Sequence, residues 1–461
     1  CVGLALSLNL GAPKAWAKTG DFQKILTSSS ISKDQLGLYI VKDQKAVFEN
    51  RAQQKMVPAS LSKLLTAITV LKKFAPEQRF TTELKSDAKI KDGVLDGELC
   101  IRGNGDSTFI SEQMWVLVNN FTRNKIRKIN GPLVVDSTNF DDKYFDDSRE
   151  DIRVDRAYDS PVSGLPFNWN AVNVYVRPNG KGALIVADPS DGYFEIVNKV
   201  RLTSGSRAEI TVSKEPLKHG EKLIVSGTIG RDSTEVVKYA SISYPDLWVG
   251  KNLISFLKDR GIEFDNQKIV SKKCSDSAPT LAIAKGWTVN EILDGMLKYS
   301  NNFLAESFTK QLAVDAGAGS GNIAKGVEVI RDTLEKEYGL SKKDYDFVNP
   351  SGFTNKNKIS AQALGNLLWS AYKDFTVSSY LLSDLATPLS EGTLSKRMKG
   401  LDKPRLVHAK TGLLAGVVGL AGYAADTKGE VYSFVFIYNG SGKEDQARDL
   451  FDRMAMEITK L

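Results

Sequence analysis

Apolar and polar positions change their period along this chain in successive blocks. Residues 36–42 (Leu-Gly-Leu-Tyr-Ile-Val-Lys) and 46–50 read as the arms of a β-hairpin around Lys42-Asp43-Gln44. Pro58 then precedes Ala59-Ser60-Leu61-Ser62-Lys63 and the run Leu64–Leu71, which is apolar nearly all round and predicts a buried helix. From about 84 to 275 the pattern becomes strand-like. Pieces at Glu98–Arg102, Gly131–Asp136, Asn173–Arg177, Gly182–Val186, Ala208–Val212 and Lys222–Gly227 are separated by turn dipeptides such as Asn179-Gly180 and Ser204-Gly205. Residues 171–241 read as all-β, and 246–260 as an amphipathic helix stopped at Arg260-Gly261. Helical spacing returns at Val289–Leu297, Phe303–Ala316 and Ile323–Tyr338. Two strong strands, Val417–Ala424 and Val431–Tyr438, and a last helix, Glu444–Leu461, close the chain. One platform of strands and helices, interrupted by a large β-rich insert, is the expected architecture.

Length supports that division, because 461 residues exceed what one hydrophobic core usually organises. The 62 basic and 55 acidic residues are scattered, without a basic run or arginine-rich helix, so nucleic acid is not an expected partner. The net charge of +7 suits contact with anionic wall polymers or an anionic bilayer, or simply a solvated surface. Val2–Leu10 is a short apolar stretch, and Ala15-Trp16-Ala17 places small residues at −3 and −1 of a signal-peptidase site. Residues 1–17 are therefore expected to be the second half of a secretory signal, too short to span a bilayer. Cys1 as a lipid-bearing cysteine is the competing reading. Cys100 and Cys274 could pair in an oxidising compartment or remain two buried thiols. Nothing resembles a Cys/His metal cluster.

Three short elements carry candidate chemistry. In Ser60-Leu-Ser-Lys63 the i and i+3 positions share a helix face, so the lysine amine can reach the serine hydroxyl. A buried lysine loses its charge readily and can then take the serine proton. Ser300-Asn301-Asn302 offers a hydroxyl and an amide from one loop. Lys410-Thr411-Gly412, ahead of an apolar strand, offers two carboxylate-binding side chains and a glycine along which a substrate backbone can lie. Each alone is weak: Lys-Thr-Gly arises by chance in roughly one chain in ten of this length. Ser60 and Ser300 alone would be read as helix caps. A Ser-His-Asp arrangement is disfavoured, since His219 reads as a turn residue and His408 as packed or exposed. Asn439-Gly-Ser-Gly-Lys443 lacks the Ser or Thr and the spacing of a phosphate loop.

In order along the chain, the three motifs resemble those of the active-site serine penicillin-recognising enzymes. More narrowly, the chain resembles the low-molecular-weight class C penicillin-binding proteins, the D-alanyl-D-alanine carboxypeptidase/endopeptidase family. The long separation of Lys63 from Ser300 is similar to that family's interruption. Gly103-Asn-Gly-Asp-Ser-Thr108, Tyr158-Asp-Ser-Pro-Val-Ser-Gly-Leu165 with Asn168-Trp-Asn170, and Asn349-Pro-Ser-Gly352 resemble its further segments. Ser107 replaces a proline, Asn301 an aspartate and Asn349 an aspartate, which leaves the 349–352 loop without an assured role.

The resemblance implies an α+β multidomain fold. A penicillin-binding transpeptidase/β-lactamase-like domain (an antiparallel five-stranded sheet flanked by helices) would span 18–83 and 276–461. An inserted domain would span 84–170 and 242–275, with a β-rich domain nested at 171–241. It further implies Ser60 as nucleophile, Lys63 as general base and Ser300 as proton relay to the leaving amine. Asn302 would hold the acyl part, and Lys410 and Thr411 the terminal carboxylate. Counting along the Lys410 strand places the second oxyanion donor at Leu413, beside Gly412. Asp155 and Tyr158 would overhang the site and recognise a diamino-acid side chain. Expected partners are peptidoglycan peptide stems and β-lactams as covalent inhibitors, without a cofactor, in the periplasm. The rival functions are a β-lactamase or esterase on the same platform and a non-catalytic wall scaffold.

Overall fold

The computed structural model describes residues 19–149, 155–189 and 192–461. The expected signal remnant at 1–17 and Cys1 lie outside the described residues.

The platform is a five-stranded sheet whose elements we number along the chain: β1 (Leu36–Lys42), β2 (Lys45–Asn50), β3 (Val407–Leu414), β4 (Val417–Ala425) and β5 (Val431–Asn439). Their spatial order is β2-β1-β5-β4-β3, and every neighbouring pair is antiparallel. Period-2 alternation explains why β1 and β5 read as unbroken apolar runs: both faces are covered. Tyr39, Val41, Val435 and Ile437 face a core shared with the central helices. Leu38, Ile40, Phe434 and Phe436 face the opposite core, built with Thr19–Thr27 and Glu444–Ile458. This is the α+β fold expected from the sequence, with helices on both sides of the sheet.

The buried helix (Ser62–Lys73) follows a single 3-10 turn, Ala59–Leu61, and ten consecutive residues from Ser62 to Leu71 are buried. Lys410-Thr411-Gly412 precedes the apolar strand β4, as expected, and itself lies within β3, at the edge of the sheet, because that strand starts three residues earlier at Val407. Its polar residues hid that strand from a hydrophobicity pattern.

The insert builds on a second five-stranded sheet: Ile269–Ser271, Leu133–Asp136, Leu99–Gly103, Arg79–Lys85 and Thr280–Thr288, in that order. Arg79–Lys85 and Thr280–Thr288 thus enter and leave it as an adjacent antiparallel pair. The nested segment forms two three-stranded sheets, and Ala171–Asn179, Gly182–Asp188 and Val236–Ser241 make one of them. Its Val174, Leu223 and Val225 share one apolar cluster with Ile101, Trp248 and Leu253 of the surrounding insert.

Cys100 and Cys274 are joined in a disulfide that closes a sequence separation of 174 residues, with Val134 packed against it. It ties the Leu99–Gly103 strand to the segment that leaves Ile269–Ser271. Replacing both cysteines with alanine should lower unfolding stability by about 2–5 kcal/mol. Acylation by penicillin should persist, because the disulfide lies in the insert sheet; a denaturant titration and a labelling assay on the double variant check both parts.

Candidate active site

Ser60 sits on the 3-10 turn ahead of the buried helix and is partly exposed, whereas its neighbours Ala59 and Leu61 are buried. Ala59 has φ +49°, a left-handed conformation that a residue with a Cβ adopts only when its surroundings hold it there. Asn439 does part of the holding: its Oδ1 accepts from Val57 N at 2.8 Å, and its Nδ2 donates to Val57 O at 3.1 Å. The turn also lies against β3, where a Cβ on Gly412 would stand 2.7 Å from the Pro58 carbonyl oxygen. The absence of a Cβ at that glycine therefore admits the Ser60 turn. Ser60 is not a helix cap, since no side-chain oxygen caps either the 3-10 turn or the helix. Ser62 is buried and accepts from Asn357 Nδ2 at 2.9 Å, which gives it a packing role.

Lys63 is fully buried, and its Nζ has three neighbours: Ser60 Oγ at 3.1 Å, Asn302 Oδ1 at 2.7 Å and the Ser351 carbonyl oxygen at 2.5 Å. The amide and carbonyl oxygens can only accept. A neutral amine that donates one N–H to each keeps its lone pair for the Ser60 hydroxyl. Burial drives the amine toward that neutral form, pulling its pKa down to about 7; the Glu306 carboxylate opposes this and the Arg149 guanidinium adds to it.

The Ser351 carbonyl belongs to the 349–352 loop, whose place the sequence left open. Asn349 Oδ1 accepts from Ser351 N and Gly352 N, each at 3.0 Å, so an amide oxygen performs the loop-closing task open to a carboxylate. Gly352 has φ +74°, and a Cβ there would stand 1.9 Å from the Ala59 carbonyl oxygen. Ser351 Oγ reaches Glu306 Oε1 at 3.0 Å. Glu306 is in turn gripped by Arg149, with Nε 3.0 Å from each carboxylate oxygen and Nη2 2.7 Å from Oε2. Arg149 Nη1 also donates to Asp159 Oδ1 at 2.9 Å, and all three side chains are buried. Arg149 and Asp159 come from the insert, so its nearest charge stands three hydrogen bonds behind the lysine, through Ser351 and Glu306. No sequence motif marked Arg149, Glu306 or Asn439, because each acts through a contact distant in sequence.

Asn301 caps the helix Asn302–Asp315, its Oδ1 accepting from Leu304 N at 3.1 Å, which frees Ser300 from the capping role. Ser300 has φ +58°. Asn302 bridges the two parts of the molecule: Oδ1 faces Lys63, and Nδ2 donates to the Tyr158 carbonyl at 3.1 Å. The Tyr158 ring meets Phe353 edge-on at 5.9 Å. The Asp155 carboxylate accepts from the Lys214 backbone at 3.2 Å and lies 3.7 Å from Lys214 Nζ.

Lys410 is fully buried on β3. Burial, and then repulsion from Lys63, hold its amine well below the ordinary lysine value. Its Nζ donates to the Thr411 carbonyl at 2.7 Å, and Thr411 Oγ1 lies 2.9 Å from Thr393 Oγ1. Leu413 follows with an exposed side chain. His408 stands on the same strand, half-buried, with Nε2 3.1 Å from the Arg405 carbonyl oxygen. Among the described residues no group of three or more His, Cys, Asp or Glu could hold a metal ion, and no helix is long and apolar enough to cross a membrane.

Known proteins are similar to this chain over most of its length. The sequence model of the D-Ala-D-Ala carboxypeptidase 3 (S13) family matches residues 19–460. The chain is 24% identical to D-alanyl-D-alanine carboxypeptidase of Actinomadura sp. (strain R39), over 91% of this chain and 80% of that protein. It is 25% identical to D-alanyl-D-alanine carboxypeptidase DacB of Haemophilus influenzae, over 85% and 82% respectively. The crystal structure of penicillin binding protein 4 from Haemophilus influenzae matches the fold with TM-score 0.78 at 22% identity, covering 96% of this chain and 99% of that one.

Proposed function

The chain belongs to the D-Ala-D-Ala carboxypeptidase 3 (S13) family, and from that premise we propose that Ser60 is the acylated nucleophile of a D,D-peptidase acting on cell-wall peptide stems. Its activity is that of a serine-type D-Ala-D-Ala carboxypeptidase. The observation that carries the residue roles is the Lys63 amine, buried, with two acceptor oxygens for its N–H groups and Ser60 Oγ at 3.1 Å for its lone pair.

The Ser60 oxygen attacks the carbonyl carbon of the D-Ala-D-Ala peptide bond while its proton passes to Lys63. The carbonyl oxygen becomes an oxyanion held by the backbone N–H groups of Ser60 and Leu413. As the C–N bond breaks, the proton on Lys63 reaches the departing amine through the Ser300 hydroxyl. Lys410 and Thr411 hold the terminal carboxylate by charge-assisted hydrogen bonds, and Asn302 orients the acyl side. Water then attacks the ester and gives a proton to Lys63; the acyl C–O bond breaks, Ser60 Oγ takes that proton back, and the shortened peptide is released. A β-lactam opens along the same path, but its amine stays tethered to the acyl group, so the adduct persists. The insert takes the place of the loop that carries the water-activating glutamate of a class A β-lactamase, which favours slow release of the adduct. Arg149 and Glu306 are positioning residues that set the charge state of Lys63. A periplasmic location, cleavage of D,D-cross-links and a peripheral membrane contact belong to the same proposal.

Ser60→Ala should eliminate labelling by fluorescent penicillin and reduce D-alanine release from a D-Ala-D-Ala peptide by at least about 10⁴-fold. Unchanged D-alanine release by this variant sinks the assignment. Rapid turnover of nitrocefin by the wild type without D-alanine release would revive the β-lactamase reading.

A further inference from the structure

Against the Ser300–Asn302 loop lies a cavity of about 550 Å³ whose lining, Ser300 and Asn302 apart, has no part in the proposed chemistry. Its size is that of sites enclosing a drug-sized ligand. Three tyrosines line it, and each leaves more than half of its surface open: Tyr158 at 54%, Tyr239 at 58% and Tyr299 at 62%. They come from three separate places: the insert turn, the nested sheet strand Val236–Ser241, and the end of the helix preceding Ser300. Large aromatic side chains left exposed at one concavity mark a binding surface.

The wall is also built at a conformational cost. Asn168, Trp169 and Asn170 have φ of +48°, +53° and +52°, three left-handed residues in succession, none of them glycine. Side-chain amides hold them there: Asn168 Oδ1 accepts from Ser111 N at 3.0 Å, and Asn170 Nδ2 donates to the Pro161 carbonyl at 2.9 Å. Strain of this kind persists where the surroundings over-determine it, and it concentrates at ligand clamps. Asn168 and Trp169 line the cavity, with the equally left-handed Ser300 on its other side.

The lining selects its ligand by charge. Glu112 and Asp188 contribute carboxylates, and among the described residues that line the cavity none is Lys, Arg or His. An anionic peptide would meet repulsion without a counter-charge. A neutral sugar with hydroxyl and acetamido groups fits: its C–H faces pack on phenol rings, and its hydroxyls donate to the carboxylates and the asparagine oxygens. We propose that this cavity binds the N-acetylated amino-sugar portion of the substrate, to which the peptide stem is attached. The inference rests on the D,D-peptidase reading above and adds a glycan subsite to it.

The test compares wild type with Tyr239→Ser and Tyr299→Ala on two substrates: a bare D-Ala-D-Ala stem peptide, and the same peptide joined to a disaccharide of N-acetylated amino sugars. For the disaccharide-bearing substrate, kcat/KM should fall about tenfold in each variant, as for loss of one anchoring aromatic. Bare-peptide hydrolysis and acylation by fluorescent penicillin should stay within about twofold of wild type. Equal losses on both substrates, or no loss on either, overturn the proposal. A loss that follows a free side-chain ammonium on the peptide, irrespective of the sugar, shows that the tyrosines bind a cation, and this also overturns it. A wild type that neither cleaves the bare peptide nor takes the penicillin label would defeat the peptidase reading itself, an outcome separate from these.

Discussion

Replacing Lys63 with methionine should slow acylation of Ser60 by roughly a hundredfold to ten-thousandfold, the range of a lost general base. The volume of the side chain is nearly kept, so the effect falls on the proton transfer. In the wild type the rate should depend on pH with a defined sign. Burial holds the Lys63 amine at about 7, below its ordinary 10.5. Below that value the ammonium dominates and has no lone pair for the Ser60 proton; above it the neutral amine dominates. Acylation by penicillin should therefore rise with pH through about 7 and then level off. Stopped-flow acylation rates across pH 5 to 9 check this, and an acid limb that survives unchanged in Lys63→Met would remove the lysine from the role.

The second large effect is expected at Arg149. Arg149→Met leaves the Glu306 and Asp159 carboxylates buried without their shared cation, and breaking a buried pair in this way costs about 3–5 kcal/mol. A lowered unfolding midpoint alone would only show that the pair is structural. The acid limb distinguishes more. Arg149 lowers the Lys63 pKa and Glu306 raises it, so Arg149→Met should move the limb to higher pH, and Glu306→Gln should move it to lower pH. Lys410, buried and cationic when protonated, and Asp159 are further charges in this neighbourhood; both stay in place in the two variants. The combined variant should return the limb toward its wild-type position, because both charges are then gone. Shifts in the same direction for both single variants would show that the pair does not act electrostatically on Lys63.

These two predictions fall on either side of what could be read from the chain alone. Ser60 and Lys63 were legible because helical spacing of i and i+3 is a local property, and a helix apolar all round announces its own burial. The strands β1, β4 and β5 were legible for the same reason: sheet faces covered on both sides leave continuous apolar runs. β3 was not, since an edge strand that presents Lys410 and Thr411 to a cleft carries a functional pattern in place of a hydrophobic one.

Residue order and local spacing alone set the succession of the three motifs, the helix that buries Lys63, and the interruption that separates Lys63 from Ser300. What Lys63 touches depends on long-range packing. Asn302 and Ser351 lie 239 and 288 residues further along the chain, and no periodicity encodes a contact of that separation. Tertiary packing likewise joined Cys100 to Cys274, brought Asp155 to Lys214, and set Arg149 of the insert against Glu306 of the platform. The physical reason is common to all of these. Local spacing fixes which face of an element a side chain occupies, whereas its partner, and with it its charge state, depends on which distant segment is packed against that face.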